Sequence, residues 1–134
     1  MTALVDTGFV VALLNRRDGH HEWAVAEATQ HGRPWHTCEP VLTEAFHLLG
    51  EPGANSLCNL IRRQTVLVSF SLASNSDSIL DLMSKYSEVP MSLADACLVR
   101  MSEVAPRPIV LTTDRHFHVY RRHSRQVVPS VLPN

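Results

Sequence analysis

The 134-residue chain contains no apolar run approaching the ~20 residues that a membrane-spanning helix requires. Its first residues, Met1-Thr2-Ala3-Leu4-Val5-Asp6, lack the basic start and long apolar stretch of a secretory signal, which predicts a cytoplasmic location. The three cysteines, Cys38, Cys58 and Cys97, are odd in number and widely spaced, with no C-x-x-C pair. That argues against a disulfide framework and against a zinc cage, and leaves buried, inert thiols. The eight histidines do not supply the missing metal pattern, because His20-His21 and His116-x-His118 lack the i, i+4 spacing of helical ligands. Lysine is nearly absent, with eleven of the twelve basic residues being arginine and Lys85 the exception. At a formal net charge of −1 the chain is no polycation, so any phosphate contact must come from local arginines. Arg16, Arg17, Arg115 and Arg121 are the candidates for such rim contacts. There is also no linker, low-complexity stretch or repeat, and the length suits one domain over residues 1–134.

What is present is an alternation of short apolar runs and longer amphipathic segments, the pattern of an α/β domain. Ala3-Leu4-Val5, Val66-Leu67-Val68 and Ile109-Val110-Leu111 read as buried strands, with Trp35-His36-Thr37-Cys38 a weaker candidate. Helices are predicted from Thr7 to about Leu14 and from Gly19 or His20 to about His31. A third starts at Pro40 and stops at Gly50, and after a turn at Glu51-Pro52-Gly53 residues 54–63 are helical again. Two more run from Ser74 to Tyr86 and, capped by Ser92, from Leu93 to Val104. His116 to Arg122 is a short irregular or helical piece, and Gln126-Val127-Val128 is expected as the last, edge strand. The aromatic residues Trp23, Trp35, Phe46, Phe70 and Tyr86 are assigned to the core. The result is a three-layer α/β/α arrangement around a mostly parallel sheet.

Against this frame four acids stand in unusual places. Asp6 follows Leu4-Val5 and Asp114 follows Ile109-Val110-Leu111-Thr112-Thr113, so both lie at the carboxyl ends of buried strands, where open α/β sheets bind ligands. An aspartate there can equally cap the next helix. Asp95 shares a helical stripe with Met91, Ala94, Leu98 and Met101, and Glu44 shares one with Val41, Ala45, Leu48 and Leu49. Both therefore fall in faces that otherwise bury apolar side chains, and a buried carboxylate demands a partner or a metal ion. Converging carboxylates raise one another's pKa or attract a cation, and an all-oxygen donor set suits Mg²⁺ or Mn²⁺. Such a site can activate water and offset the charge of an in-line displacement. Thr7 and Thr112, each next to an acid or close by, are expected to orient carboxylates or a water.

These segments resemble the PIN-domain nucleases, and most of all the toxins of VapBC-type toxin–antitoxin pairs. Leu4-Val5-Asp6-Thr7-Gly8-Phe9 is similar to the family's opening strand and aspartate, and Asp18-Gly19-His20-His21-Glu22-Trp23-Ala24 to its acidic-histidine stretch. Thr43-Glu44-Ala45 resembles its helical glutamate, Leu93-Ala94-Asp95-Ala96-Cys97-Leu98 its central aspartate, and Thr112-Thr113-Asp114-Arg115-His116-Phe117 its closing T-x-D-x-x-F signature. The order and spacing of these pieces span residues 4–117, while residues 51–88 carry no motif. The resemblance implies a sheet in the order 3-2-1-4-5 and Mg²⁺- or Mn²⁺-dependent cleavage of RNA. It further implies that Asp6, Glu44, Asp95 and Asp114 form the catalytic metal site, and that the protein is a homodimer with an antitoxin partner that blocks the cleft.

Two readings from other classes stand beside this one. A catalytically inactive PIN-like module binding RNA or protein would be expected to have lost some of the acids, and all four are present. A phosphoacceptor receiver domain needs paired acids after its first strand and a lysine after a late one. Here the first strand ends in a single acid, and Lys85 follows no strand. A phosphatase with a D-x-D nucleophile fails because position 8 is glycine.

Overall fold

The computed structural model describes residues 1–134. Strand β1 (Thr2–Val5) leads directly into helix α1 (Thr7–Leu14), and α2 (His21–Gln30) follows. Next come β2 (Trp35–Thr37), the long α3 (Glu39–Arg62), β3 (Val66–Val68), α4 (Ser76–Lys85) and α5 (Leu93–Val104). The chain closes with β4 (Pro108–Leu111), a 3-10 turn (Arg115–His118), β5 (Arg121–Arg122), β6 (Gln126–Val127) and β7 (Ser130–Val131). Five strands form one parallel sheet in the order β3-β2-β1-β4-β7.

The sheet is covered on both faces, and the alternation of side chains along β1 shows how. Ala3 and Val5 point to the cluster that holds Phe9, Ala12, Trp35, Ala45 and Leu57, from α1, β2 and α3. Leu4 points the other way, to Ile79, Leu98, Phe117 and Tyr120, on the side of α4 and α5. A parallel sheet buried on both faces needs unbroken apolar strands, which is why TALV and PIVL carry no polar alternation. The aromatic side chains fall where the sequence assigns them: Phe9 meets Trp23 and Trp35 edge-on, each at 5.9 Å between centroids, and Phe70 and Tyr86 are buried. Cys38 and Cys97 are likewise buried, whereas Cys58 is half-exposed.

Two expectations are corrected. The turn predicted at Glu51-Pro52-Gly53 is absent, because α3 breaks only at Gly50 (φ 70°, ψ −174°) and resumes at once. Pro52 then occupies the first turn of the resumed segment, where its missing N–H costs nothing, and Gly53 is buried against Leu49. Secondly, Gln126-Val127 is not the edge strand. It folds back antiparallel on Arg121–Arg122, through a turn in which His123 and Ser124 both have positive φ. The edge is β7, two residues past Val128, paired to β4 through Val110↔Ser130 and Leu111↔Val131. The carbonyl of Pro129 accepts the Val110 N–H at 2.8 Å, so this proline takes part in the ladder through its acceptor alone.

From β1 the chain winds outward to β2 and β3, then crosses back to the other side of β1 to make β4. The order therefore reverses between β1 and β4, and a crevice opens at their carboxyl ends. The backbone at Gly50 lies in a region that only glycine occupies without strain. Gly50→Ala is therefore expected to lower stability by about 1–3 kcal/mol, read as a lower urea midpoint with an unchanged slope. An unchanged midpoint would show that the break relaxes without cost.

Candidate active site

Asp6 occupies the position immediately after β1 and is only 6% exposed. Its backbone is extended, and its Oδ1 accepts the Thr7 N–H at 2.7 Å, capping α1. Its Oδ2 accepts the Thr112 hydroxyl at 2.6 Å. That same Thr112 oxygen accepts the backbone N–H of Asp114 at 3.0 Å, so one buried hydroxyl joins the ends of β1 and β4. Asp114 caps the 3-10 turn through Oδ1, which accepts the His116 N–H at 2.9 Å and lies 2.8 Å from His116 Nδ1. Asp95, 8% exposed, is the third residue of α5 and closes a reciprocal cap with Ser92. Its Oδ2 accepts the Ser92 N–H at 3.1 Å, while its own N–H donates to Ser92 Oγ at 3.0 Å.

The four acids line one cleft of about 450 Å³, only two of whose lining residues, Val11 and Leu48, are hydrophobic. Glu44 enters it differently from expectation. The stripe it shares with Val41 and Ala45 is buried at those two positions only; Leu48, one turn on, is 56% exposed. Glu44 is itself exposed, on the side of α3 that overhangs the crevice rather than the side packed on the sheet. Of the two threonines expected to orient acids, Thr112 does so, whereas the Thr7 hydroxyl points to the Val41 carbonyl at 3.5 Å. Gly8 leaves room for the opposite wall: a Cβ there would stand 2.0 Å from Thr113 Oγ1.

Electrostatics mark this as a strained group of charges. Burial, reinforced by the charges of Asp95 and Asp114, raises Asp6 to about 7, although the hydrogen bonds from Thr112 and Thr7 pull it down. Burial also raises Asp95, with the charge of Asp114 adding to it and the Ser92 and Tyr120 hydrogen bonds opposing. No basic side chain lines the cleft apart from His20. The donor set is all oxygen, as hard divalent ions prefer. Asp95 Oδ1, Asp114 Oδ2 and both Glu44 oxygens accept no hydrogen bond from the protein. No three of these side chains are gathered into a ready-made cage. An Mg²⁺ ion bound there would take part of its shell from water and substrate phosphate.

Sequence reasoning missed several residues here. Asp18 and His20 line the same cleft, with Asp18 Oδ1 accepting the His20 N–H at 2.8 Å just before α2. The D-x-H spacing was visible, but no side-chain role attached to it. Ser92 lines the cleft besides capping α5. Arg121, nominated for the rim, is instead committed to the protein: its Nη1 donates to the carbonyls of His118, Val119 and Tyr120 at 2.7, 3.1 and 3.0 Å. Arg16, Arg17 and Arg115 are exposed.

With this geometry in place, the comparisons with known proteins are direct. Residues 3–122 match the family model described as "PIN domain". The chain belongs to the PIN domain family. Among solved structures it is similar to Mycobacterium tuberculosis VapC20, a toxin that cleaves the sarcin–ricin loop. The two share 22% identity and a TM-score of 0.68, over 81% of this chain and 87% of that one. No curated protein matches the sequence significantly. The predicted three-layer architecture and strand order are present here, with β7 as the fifth strand, and the fold is shared with VapC20.

The raised Asp6 carboxyl has a signed consequence for stability. A group that binds its proton more tightly when folded stabilises the fold at low pH, and that contribution is lost as pH rises. In metal-free buffer, wild type should therefore lose stability relative to Asp6→Asn between pH 3.8 and about 7. Thermal unfolding of both proteins across that range, with a chelator present, checks it; a pH-independent difference would refute the buried, proton-binding Asp6.

Proposed function

We propose that the protein is a divalent-metal-dependent endoribonuclease, one PIN-like domain over residues 1–134, working in the cytoplasm as the toxin of a toxin–antitoxin pair. The observation that carries this reading is the meeting of Asp6, Asp95 and Asp114 in one cleft at the topological switch point, with Glu44 on its rim. Family membership and the likeness in fold to a ribosomal-RNA-cleaving toxin support RNA as the substrate class. An antitoxin that blocks the cleft and a homodimeric assembly belong to the same proposal.

In this reading Asp6, Asp95 and Asp114 would hold Mg²⁺ or Mn²⁺, drawing together around the ion, with Glu44 completing the site. When bound, the ion supplies an activated water and charge compensation at the scissile phosphate. The chain's own residues do the rest. Thr112 fixes Asp6 and the backbone of Asp114 relative to each other, so two acids from different strands present their oxygens in one orientation. The Ser92 cap engages Oδ2 of Asp95 and leaves its Oδ1 without a protein hydrogen bond. Glu44, free of protein hydrogen bonds and exposed, is placed to accept a proton from an attacking water. The acidic cleft by itself repels a phosphodiester, so RNA binding requires the cation.

Cleavage of a mixed pool of structured RNAs tests the proposal. Wild type should cut only with Mg²⁺ or Mn²⁺ present. Asp95→Asn should fold and lose more than ~100-fold in rate, beyond the 10–100-fold that outer-shell changes typically cause. Undiminished cutting by the folded variant would refute the assignment of Asp95. RNA bound but never cut by wild type, with metal present, would favour the inactive binding module.

A further inference from the structure

Tyr120 has no part in the roles described so far, and it lies against the site. It is fully buried, and its hydroxyl is within reach of two acceptors, the Pro90 carbonyl and, at 3.1 Å, Asp95 Oδ2. Its ring is held edge-on by Tyr86 and Phe117, each at 5.3 Å, and His116 stacks on it at 6.4 Å with 24° between planes. His116 is the residue bonded to Asp114, so the ring of Tyr120 fills the space between the supports of two of the acids.

A buried phenol has a single proton to donate, and here the Pro90 carbonyl and Asp95 Oδ2 share it. Pro90 alone would suffice for a tyrosine that only packs, so the reach to Asp95 is the additional contact. From the side of Asp95 it matters. The carboxylate is fixed at Oδ2 by the Ser92 N–H and by the Tyr120 hydroxyl, coming from a different part of the chain. With Oδ2 held by both, the carboxylate plane is set and Oδ1 faces the cleft. The Ser92 bond alone would leave the carboxylate free to turn about its own axis.

We propose that Tyr120 is a positioning residue for Asp95, orienting its free oxygen for a divalent cation through a hydrogen bond to the other oxygen. This rests on the metal-dependent reading above and goes beyond it. Replacing the hydroxyl while keeping the ring isolates the effect, because Tyr120→Phe retains the contacts with Tyr86, Phe117 and His116. Tyr86→Phe is the matched control. It removes a second tyrosine hydroxyl, one that accepts the Arg121 N–H at 2.9 Å and touches no acid.

The full chain is titrated with Mn²⁺ alone, by calorimetry or by the loss of free-ion electron-spin resonance, and RNA cleavage is measured across Mn²⁺ concentrations. Tyr120→Phe should bind Mn²⁺ at least ~10-fold more weakly, with Tyr86→Phe binding as wild type does. Its kcat should recover at saturating Mn²⁺, with the KM for RNA unchanged. A folded Tyr120→Phe that binds Mn²⁺ as tightly as wild type overturns the proposal. Should that variant fail to fold, Tyr86→Phe decides: adding Mn²⁺ should perturb its near-ultraviolet tyrosine absorption, Tyr120 being the only tyrosine left. No perturbation overturns it. Wild type that binds no Mn²⁺ and cuts no RNA defeats the nuclease reading and Tyr120's role with it. Binding that is lost in Asp95→Asn and untouched in Tyr120→Phe defeats Tyr120's role alone.

Discussion

Everything at the cleft depends on keeping the Asp6 carboxyl out of water at the point where the sheet reverses its order. A carboxylate in that position costs several kcal/mol unless hydrogen bonds or a cation compensate it. Two hydrogen bonds, from the Thr7 amide and the Thr112 hydroxyl, compensate it in part. The remaining cost shows in the tighter hold on its proton and in the repulsion from Asp95 and Asp114. The fold thus builds a deficit of positive charge into its own crevice. A cation that relieves the deficit stabilises the native chain as well as equipping it for chemistry, so binding and folding share one free energy.

In the proposed site three of the acids would serve twice. Asp6 caps α1, Asp95 closes the cap of α5, and Asp114 caps the turn after β4. Capping and ligand binding look like competing explanations when a strand-end aspartate is met in a sequence. Here they are complementary. The cap engages Oδ2 of Asp95 and Oδ1 of Asp114, which fixes the rotamer, and the other oxygen is left for the cleft. A site built on helix termini takes part of its rigidity from the caps, and the Thr112 and Tyr120 hydroxyls supply more of it.

Much of this was legible in the sequence because it follows from local rules. Apolar runs located the central strands, and the acids directly after Val5 and two residues after Thr112 were placed by strand ends alone. Asp95 was found by helical periodicity, since a charge amid Ala94, Leu98 and Met101 has few reasons to be there. The same rule placed Glu44 only approximately, because a stripe shows which residues share a face and not which face meets the sheet. Pro52-Gly53 read as a loop since both residues break helices in isolation, while the effective break was the single backbone conformation of Gly50. The edge strand was misplaced by a few residues because Gln126-Val127 pairs back on Arg121–Arg122 instead of on β4. Arg121 and Tyr120 could not be read at all. Their partners lie in backbone carbonyls and in a residue 25 positions away, and neither leaves a pattern in composition or spacing.

The topology has a consequence for how the chain comes into being. β1, which leads into Asp6, is made well before its neighbour β4 and the Thr112–Asp114 segment. During vectorial synthesis Asp6 therefore waits without its hydroxyl partner or its neighbouring acids while most of the polypeptide is threaded out. Contacts this distant along the chain close late and slowly. Until β4 has paired beside β1, Asp6 lacks the Thr112 hydroxyl and the neighbouring Asp114, so the cleft exists only once that late pairing has closed.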